Sequence, residues 1–262
     1  MIKYLAVLRI NARQQIAYRG EFLMRGIMIA MFLSIFVALW STVYAIGGQT
    51  EMAGFRLSQM IWYLAMTETV ILSGSRVFDQ ISEEVKNGDL AYTLVRPYSY
   101  VGFQIAHSLG GTFPRMLLNF IVASLVVLLF THVVETSLQG ILGFLALSTM
   151  AMVLDTTIAV LIGLGAFFIE EVRPLYWIYS KLLMSVGGMF LPLDMFPPWL
   201  RRISNVLPFR LIIYAPARTF VDFDGELFRR ALVGQALYIA LAGVLLALAW
   251  RQGKRRVVVH GG

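Results

Sequence analysis

The sequence contains no cysteine and few charged side chains. Without cysteine, the 262-residue chain can form no disulfide, no thiolate metal site and no cysteine nucleophile. Charged residues make up 14% of the chain and hydrophobic residues 58%, whereas about a quarter of the residues of a soluble domain are charged. This composition excludes an ordinary soluble domain and indicates a polytopic membrane protein.

Several motifs of enzymes and nucleic-acid-binding proteins are also missing. No G-x-x-x-x-G-K-[ST] loop is present to hold phosphates, so we expect no ATP hydrolysis by this chain alone. H-E-x-x-H and G-x-S-x-G are absent, which argues against the familiar protease and hydrolase sites. His107, His132 and His260 are too scattered to predict a metal site. The net charge of +7 comes from basic residues dispersed around apolar runs, which indicates contact with anionic lipid rather than nucleic acid.

Apolar runs long enough to cross a bilayer recur along the chain. Since a bilayer core needs about twenty mostly apolar residues, we predict an all-α fold with six transmembrane helices. Pro114 and Arg115 fit the first turn of the third helix. The first run is too long for a signal peptide and lacks a cleavage pattern, so we expect it to be retained. The predicted spans are Phe22–Ile46, Leu57–Phe78, Phe113–Thr131, Leu138–Phe168, Leu175–Leu193 and Ala231–Trp250.

Basic residues predict the orientation. Lys3, Arg9 and Arg13 precede the first span, and Arg251 and Lys254 follow the last. Because basic residues concentrate on the cytoplasmic side, an even number of spans places both termini in the cytoplasm. One region conflicts with this orientation, although the rule weakens over long loops. Its arginines, all predicted to lie outside, are Arg201, Arg202, Arg210, Arg218, Arg229 and Arg230.

The segment before the first span, residues 1–21, has an amphipathic pattern. Leu5, Leu8, Ala12 and Ile16 lie near one helical face, with basic side chains towards another. This pattern predicts an interfacial helix on the cytoplasmic leaflet. The alternative is a basic leader that only fixes topology, and Arg19 on the apolar side is consistent with it.

A polar insert, residues 79–103, separates the second and third spans. The run "QISEEVKN" predicts a short helix over Gln80–Asn87 that Gly88 ends, and Pro97 stops the apolar run that follows. A plain connection between helices needs only a few residues. A longer, patterned insert with apolar side chains beside acidic ones predicts a surface that receives another protein.

The stretch between the fifth and sixth spans, residues 194–222, cannot form one continuous helix because prolines interrupt it. Trp199 and Ile203 recur at helical spacing, and Trp199 and Tyr214 suit a membrane interface. We predict short helices that dip into the outer leaflet, where protein or a water-filled cavity must satisfy the backbone. The alternative is a folded interfacial loop without a role in transport. The prolines of this region are Pro192, Pro197, Pro198, Pro208 and Pro216.

Two stretches together resemble the ABC-2 type permeases, the membrane subunits of one class of ATP-binding-cassette transporters: "NGDLAYTLVRPYS" and "PLDMFPPWLRRISNVLPFRLIIYAPARTFVD". The resemblance implies an N-terminal elbow helix, six spans, a cytoplasmic coupling helix within residues 79–103 and re-entrant helices before the last span. It also implies a separate ATPase subunit that binds ATP and magnesium, while this chain binds no cofactor. A second permease chain, identical or related, and export across a bacterial plasma (inner) membrane follow from the same resemblance.

On this resemblance, the insert is the element that docks on the ATPase subunit. Acidic groups beside apolar ones would supply the orientation and the contact area of this interface. The residues that we expect to take part are Ile81, Glu83, Glu84, Val85, Lys86, Asp89, Leu90, Tyr92 and Arg96.

Two carboxylates, Glu68 and Asp155, fall inside predicted spans. Such groups usually face a bundle interior or an aqueous cavity, so both are candidates for the transport pathway. They also fit a proton-coupled secondary transporter, although no matching half-repeats are visible, or a purely structural role in hydrogen bonds. A membrane-embedded transferase or hydrolase would use Asp155, Asp194 or the pair Glu170 and Glu171, but sequence spacing does not show that these groups converge.

Overall fold

The computed structural model describes residues 2–17, 19–48, 50–90 and 98–260, and nearly all of this part of the chain is α-helical. A short antiparallel hairpin of β1 (Glu51–Met52) and β2 (Phe55–Arg56) is the exception. The helices of the described ranges are α1 (Ile2–Ala17), α2 (Arg19–Gly47), α3 (Leu57–Ser73), α4 (Val77–Lys86), α5 (Tyr100–Thr131), α6 (Leu138–Leu164), α7 (Arg173–Val186), α8 (Pro198–Val206), α9 (Phe209–Ile212), α10 (Tyr214–Val221) and α11 (Gly225–His260).

Within the described ranges, four helical segments are long and apolar enough to cross a membrane. They overlap α2, α5, α6 and α11, and they cover most or all of the first, third, fourth and sixth predicted spans. Their outward faces are apolar and exposed, as expected of helices surrounded by lipid. The prediction of a nearly all-α, multi-pass membrane protein is therefore confirmed. The four segments are Gly26–Gly47, Tyr100–Thr131, Leu138–Phe167 and Gly225–Arg255.

Helix α3 lies at the centre of the bundle, and residues 60–70 are all buried. It packs against α2, α5 and α10. The predicted second span, Leu57–Phe78, is wrong at its end because the helix stops at Ser73 and a new helix, α4, begins at Val77. The 17 residues of α3 give a length of about 25 Å at 1.5 Å per residue. Polar residues 74–76 therefore form a break where the central helix leaves the apolar core.

Helix α5 begins earlier than the sequence pattern predicts. The third span was expected to start near Phe113, with Pro114 in its first turn, but the helix starts at Tyr100 and Pro114 lies inside it. The residues before Phe113 pack against α1, and Tyr100 and Gln104 donate hydrogen bonds to Glu84 of α4, so the helix continues beyond the apolar run. Gly110 permits the closest approach, because a Cβ there would lie 2.6 Å from the backbone oxygen of Leu8 in α1.

Helix α1 lies along this extended part of α5. The Ser99 backbone N–H, just before α5, donates to the Tyr4 hydroxyl over 2.9 Å. Of the predicted apolar face, Leu8 is half-buried while Leu5 is exposed, and Ile10 is exposed as well. Exposed apolar side chains on a helix beside the bundle are compatible with an interfacial position, which stays a prediction.

Helix α7 is shorter than the predicted fifth span, Leu175–Leu193. It has 14 residues, about 21 Å in length, and ends before Gly187. Gly188 then turns the chain with a positive φ of 85°, a conformation that glycine adopts without strain. Its carbonyl oxygen accepts a hydrogen bond from the Tyr63 hydroxyl of α3, which fixes this turn to the centre of the bundle.

The proline-rich segment forms the short helices α8, α9 and α10, as predicted. Tyr214 was expected at an interface, but it is buried and donates to Asp194 Oδ2 over 2.8 Å. The expectation was wrong because α10 packs into the core between α3 and α6. Asp194 also faces Arg201 and Arg218, at 3.5 and 3.9 Å. Two of the arginines that conflict with the orientation therefore have a carboxylate partner within this segment.

Candidate functional site

The short polar helix α4 is fixed to α6 by its apolar face. Ile81 is completely buried there, and a Cβ at Gly163 of α6 would lie 3.0 Å from the Ile81 Cβ and 3.1 Å from the Phe78 Cα. These distances are shorter than ordinary van der Waals contact, so a side chain at residue 163 would require its neighbours to move by a few tenths of an ångström. Val77 and Leu90 complete the apolar contact, so α4 sits on the end of the bundle at a defined position.

This packing corrects part of the predicted docking surface. Ile81 and Leu90 were expected to be exposed, but 0% and 2% of their surface is accessible, and Val85 is half-buried. The prediction failed because their apolar face has a partner within the chain. Tyr92 and Arg96, also predicted contacts, lie outside the described residues.

Glu84 points towards α5 rather than outward. Its carboxylate accepts hydrogen bonds from the Tyr100 hydroxyl at 2.6 Å, Gln104 Nε2 at 3.0 Å and Gln80 Nε2 at 3.1 Å. A carboxylate with three donors is held in one position. Glu84 therefore ties α4 to α5 and is not available as an outward-facing charge.

Ion pairs connect α4 to the loop between α6 and α7. Lys86 Nζ lies 2.9 Å from Glu171 Oε2, while Arg173 lies 3.1 Å from Asp79 and 3.7 Å from Glu83. The hydrogen bond from Lys86, with one from the Arg173 backbone N–H, lowers the pKa of Glu171 below its ordinary value. These exposed pairs stabilise little, but they orient α4 relative to the start of α7.

The remaining outward surface, which we call the α4 tip, consists of Glu83, Lys86, Asn87 and Asp89, all exposed. The helix ends as the sequence predicts. Asn87 is the C-cap residue of α4, and Gly88, which follows it, adopts a positive φ of 77°. The α4 tip is thus a charged and polar surface on a well-anchored helix.

A cavity of about 680 Å³ lies beside the break between α3 and α4. Helices α2, α3, α6 and α7 supply most of its lining. Its wall is largely apolar, and Arg76, Arg115 and Asp155 contribute charge. Pockets of this size are typical of small-molecule sites, so the cavity is a candidate for part of a transport pathway.

The two predicted intramembrane carboxylates have different surroundings. Asp155 lines the cavity, and its Oδ1 accepts a hydrogen bond of 2.7 Å from the Tyr179 hydroxyl. Glu68 is buried in α3 and is not among the described residues that line the cavity, and its Oε2 has no hydrogen-bond partner within the described ranges. The structure therefore does not bring Glu68 and Asp155 together in one site.

The acidic groups considered for an enzyme also lie apart. Asp155 bonds to Tyr179, Asp194 bonds to Tyr214, and Glu171 pairs with Lys86. Each carboxylate belongs to a different cluster, so the contacts give no support to a shared reaction centre.

Sequence reasoning missed the arginines and tyrosines of the cavity. Arg76, Arg115, Tyr176 and Tyr179 line or bound it. The signal was the stretch "LSGSR", Leu72 to Arg76, in which glycine, serine and arginine end an apolar run. Gly74 lies next to the site, because a Cβ there would be 3.6 Å from Asp155 Oδ2.

Long apolar helices, a polar helix anchored at one end of the bundle and a partly charged cavity together define a multi-pass α-helical membrane transport protein. The sequence model of a family described as "ABC-2 family transporter protein" matches residues 26–261, so the chain belongs to the ABC-2 transporter family. The resemblance seen in the sequence is thereby confirmed. Permeases of this family are membrane transport components and not themselves the ATPase. The comparison with curated proteins gave no match.

Proposed function

We propose that this chain is the permease subunit of an ABC exporter in a bacterial plasma membrane, powered by a separate ATPase subunit. Both termini are cytoplasmic in this proposal, and the ATPase subunit binds ATP and magnesium. The observation that carries it is the placement of α4. This short helix follows the central helix α3, has its apolar face fixed on α6 and leaves the α4 tip exposed.

The contacts of α4 support its role as a coupling helix. Residues 74–76 join it to α3, Ile81 fixes it to α6, and Arg173 connects it to α7. All three helices line the cavity. A rigid displacement of α4 by the ATPase would therefore move several walls of the cavity together, which is how nucleotide-driven closure would change access.

Six spans remain the best account of the bundle. In this proposal α3 and α7 cross the membrane beside the four longer helices. Because α7 is short, the turn at Gly188 and helices α8 to α10 occupy the outer leaflet beyond its end. Helices α7 and α8 expose Trp177, Ile178, Leu182 and Trp199. We assign part of this apolar surface to a second permease chain and the rest to lipid.

The orientation predicts which side of the membrane α4 faces. Because the natural chain has no cysteine, a single cysteine introduced as Glu83→Cys should react with an impermeant maleimide only after the cytoplasmic side is opened. The control, Glu51→Cys in the exposed β1 strand at the other end of the bundle, should react in intact cells. Labelling of residue 83 from outside would overturn the proposed topology.

The apolar face of α8 gives a prediction about assembly. Trp199 is 63% exposed in the single chain while Ser204 is buried, so the apolar face of α8 points away from its own bundle. Trp199→Asp should reduce recovery of the dimer and transport, because a carboxylate would enter lipid or a partner interface. Arg202→Gln, an exposed change on the same helix, should have little effect. Size-exclusion chromatography and cross-linking measure how much dimer each variant forms. If both variants formed as much dimer as the natural chain, the segment would be an interfacial loop without a role in assembly.

Proton-coupled transport is the second candidate function. It is favoured by one observation, the buried Glu68 Oε2 without a hydrogen-bond partner within the described ranges. The purified chain, without any ATPase, would then transport substrate when a proton gradient is applied, and Glu68→Gln would abolish this flux. That result would support proton-coupled transport. Dependence of transport on an ATPase subunit supports the permease.

A further inference from the structure

The C-terminal part of α11 packs against the elements that hold α4 in place. The indole ring of Trp250 stacks on the ring of Tyr100, with centroids 5.1 Å apart and an interplanar angle of 13°. The Tyr100 hydroxyl in turn donates to Glu84 of α4 over 2.6 Å. The ring of Trp250 also lies 6.1 Å from that of Phe167, and a Cβ added at Gly253 would lie 2.8 Å from the Phe167 Cγ. The last helix is therefore fastened, through Tyr100, to the helix that presents the α4 tip.

The N-terminal half of α11 is fastened to the short helices α8 and α9. The buried Gln235 side chain donates from Nε2 to the backbone oxygens of Leu147 in α6 and Leu211 in α9, over 2.9 and 2.8 Å. The Tyr238 hydroxyl donates to the backbone oxygen of Val206, the last residue of α8. Polar side chains buried within a membrane span are costly and usually functional. Gln235 is therefore a candidate for a role beyond packing.

The two attachment points belong to one continuous helix. Gln235 and Trp250 are about 22 Å apart along α11 at 1.5 Å per residue, and no proline interrupts residues 225–260. Backbone hydrogen bonds keep the spacing along such a helix nearly constant. Helix α9, at the far attachment point, also contributes Ile212 to the wall of the cavity of about 680 Å³. A displacement of α11 along its axis would therefore move part of the cavity wall.

We propose that α11 is a rigid connection that transmits the ATPase-driven displacement of α4 to the short helices α8 to α10. Trp250 and Gln235 are its positioning residues, one at each attachment point. Neither needs to contact the transported molecule, because each acts through the neighbouring helix that it holds. Shifts of whole helices by about 1–2 Å are a recurrent form of such switching. This inference deepens the proposed function and rests on it, since the displacement of α4 comes from the ATPase subunit.

The test follows α8 in the purified complex of the full chain with its ATPase subunit. Because the chain has no cysteine, Leu207→Cys introduces a single thiol at the end of α8, at a partly buried position. A non-hydrolysable ATP analogue should change the rate at which maleimide labels this thiol at least threefold in the otherwise natural chain. Trp250→Ala should remove this response. Trp250→Phe should keep most of it, because its ring can still stack on Tyr100.

Gln235→Leu tests the other attachment point and carries the test if Trp250→Ala fails to fold. It keeps the volume of the side chain nearly unchanged but removes the hydrogen bonds to α6 and α9, so the response at residue 207 should again be lost. The matched controls are Leu248→Ala and Leu237→Ala, which change exposed apolar residues of the same helix and should respond like the natural chain. Thermal unfolding of each isolated variant identifies those that fail to fold.

An unchanged response in either folded variant, Trp250→Ala or Gln235→Leu, would overturn the inference. A lower unfolding temperature would not rescue it, because that side chain would then be structural only. Absence of any response in the natural complex would overturn the inference as well. In each of these cases co-purification of the ATPase would leave the proposed function standing, whereas a natural chain that binds no ATPase would contradict both.

Discussion

The double variant Glu83→Lys and Asp89→Lys should lose its ATPase partner while remaining a folded membrane protein. Both side chains are exposed on the α4 tip. Reversal of two charges at a docking surface places like charges against each other, which costs several kcal/mol. We expect binding of the ATPase to weaken about a hundredfold, equivalent to about 3 kcal/mol. Co-purification, substrate-stimulated ATP hydrolysis and transport should fall together.

The matched control for this experiment is Glu51→Lys, an exposed acidic residue on β1 at the opposite end of the bundle. It should leave co-purification and transport unchanged. Membrane insertion and dimer recovery should be normal in both proteins, since exposed charges usually change stability only slightly. Wild-type ATPase binding by the double variant would remove the α4 tip from the coupling interface and leave the fold assignment intact.

Glu84 is left out of this charge reversal for a structural reason. Sequence reasoning treats Glu83 and Glu84 as an equivalent acidic pair, but Glu84 accepts hydrogen bonds from Tyr100, Gln104 and Gln80. Its change to lysine would leave those donors without an acceptor and destabilise the attachment of α4 to α5. Loss of transport in such a variant would therefore report on folding as well as docking.

Gly163→Leu should separate α4 from α6 and uncouple the transporter. An added Cβ would lie 3.0 Å from the Ile81 Cβ and 3.1 Å from the Phe78 Cα, so a leucine cannot be accommodated without movement of the α4 backbone. Overpacking of this kind costs about 1–3 kcal/mol. We expect a lower unfolding temperature in detergent and ATP hydrolysis that no longer responds to substrate.

Gly243→Leu provides the control, because Gly243 also lies within a long helix but a Cβ there meets no atom within 4 Å. It should unfold at or above the temperature of the natural chain, since leucine favours helix more than glycine does. The combination of Gly163→Leu with Ile81→Ala should recover part of the loss, because alanine removes the Ile81 Cδ1, which lies 3.1 Å from the added Cβ, although it keeps the Ile81 Cβ. Residues in contact show such non-additivity, and additive effects of the two changes would contradict the packing described here.

Composition and local pattern were sufficient for the membrane class, the helical fold and several helix ends. A bilayer core imposes a long apolar run on each of the longer spans, so α2, α6 and α11 are visible without any structure. Gly88 after "QISEEVKN" predicted the end of α4 correctly because a positive φ is a local property of the backbone. The prolines from Pro192 onwards likewise predicted the short helices of this segment, because proline lacks a backbone N–H and disrupts the interior of a helix.

Tertiary packing decided the features that matter most for the site. Hydropathy cannot separate a residue that faces lipid from one that faces a neighbouring helix, since both are apolar. For this reason the burial of Ile81 against Gly163 and the move of Tyr214 into the core were not predictable. The cavity has the same origin: Arg76 and Arg115 are 39 positions apart in the chain, and they meet only because α5 packs beside the break at the end of α3. Contacts between charged residues of distant segments depend on how the helices pack, and they leave no periodic signal in the sequence.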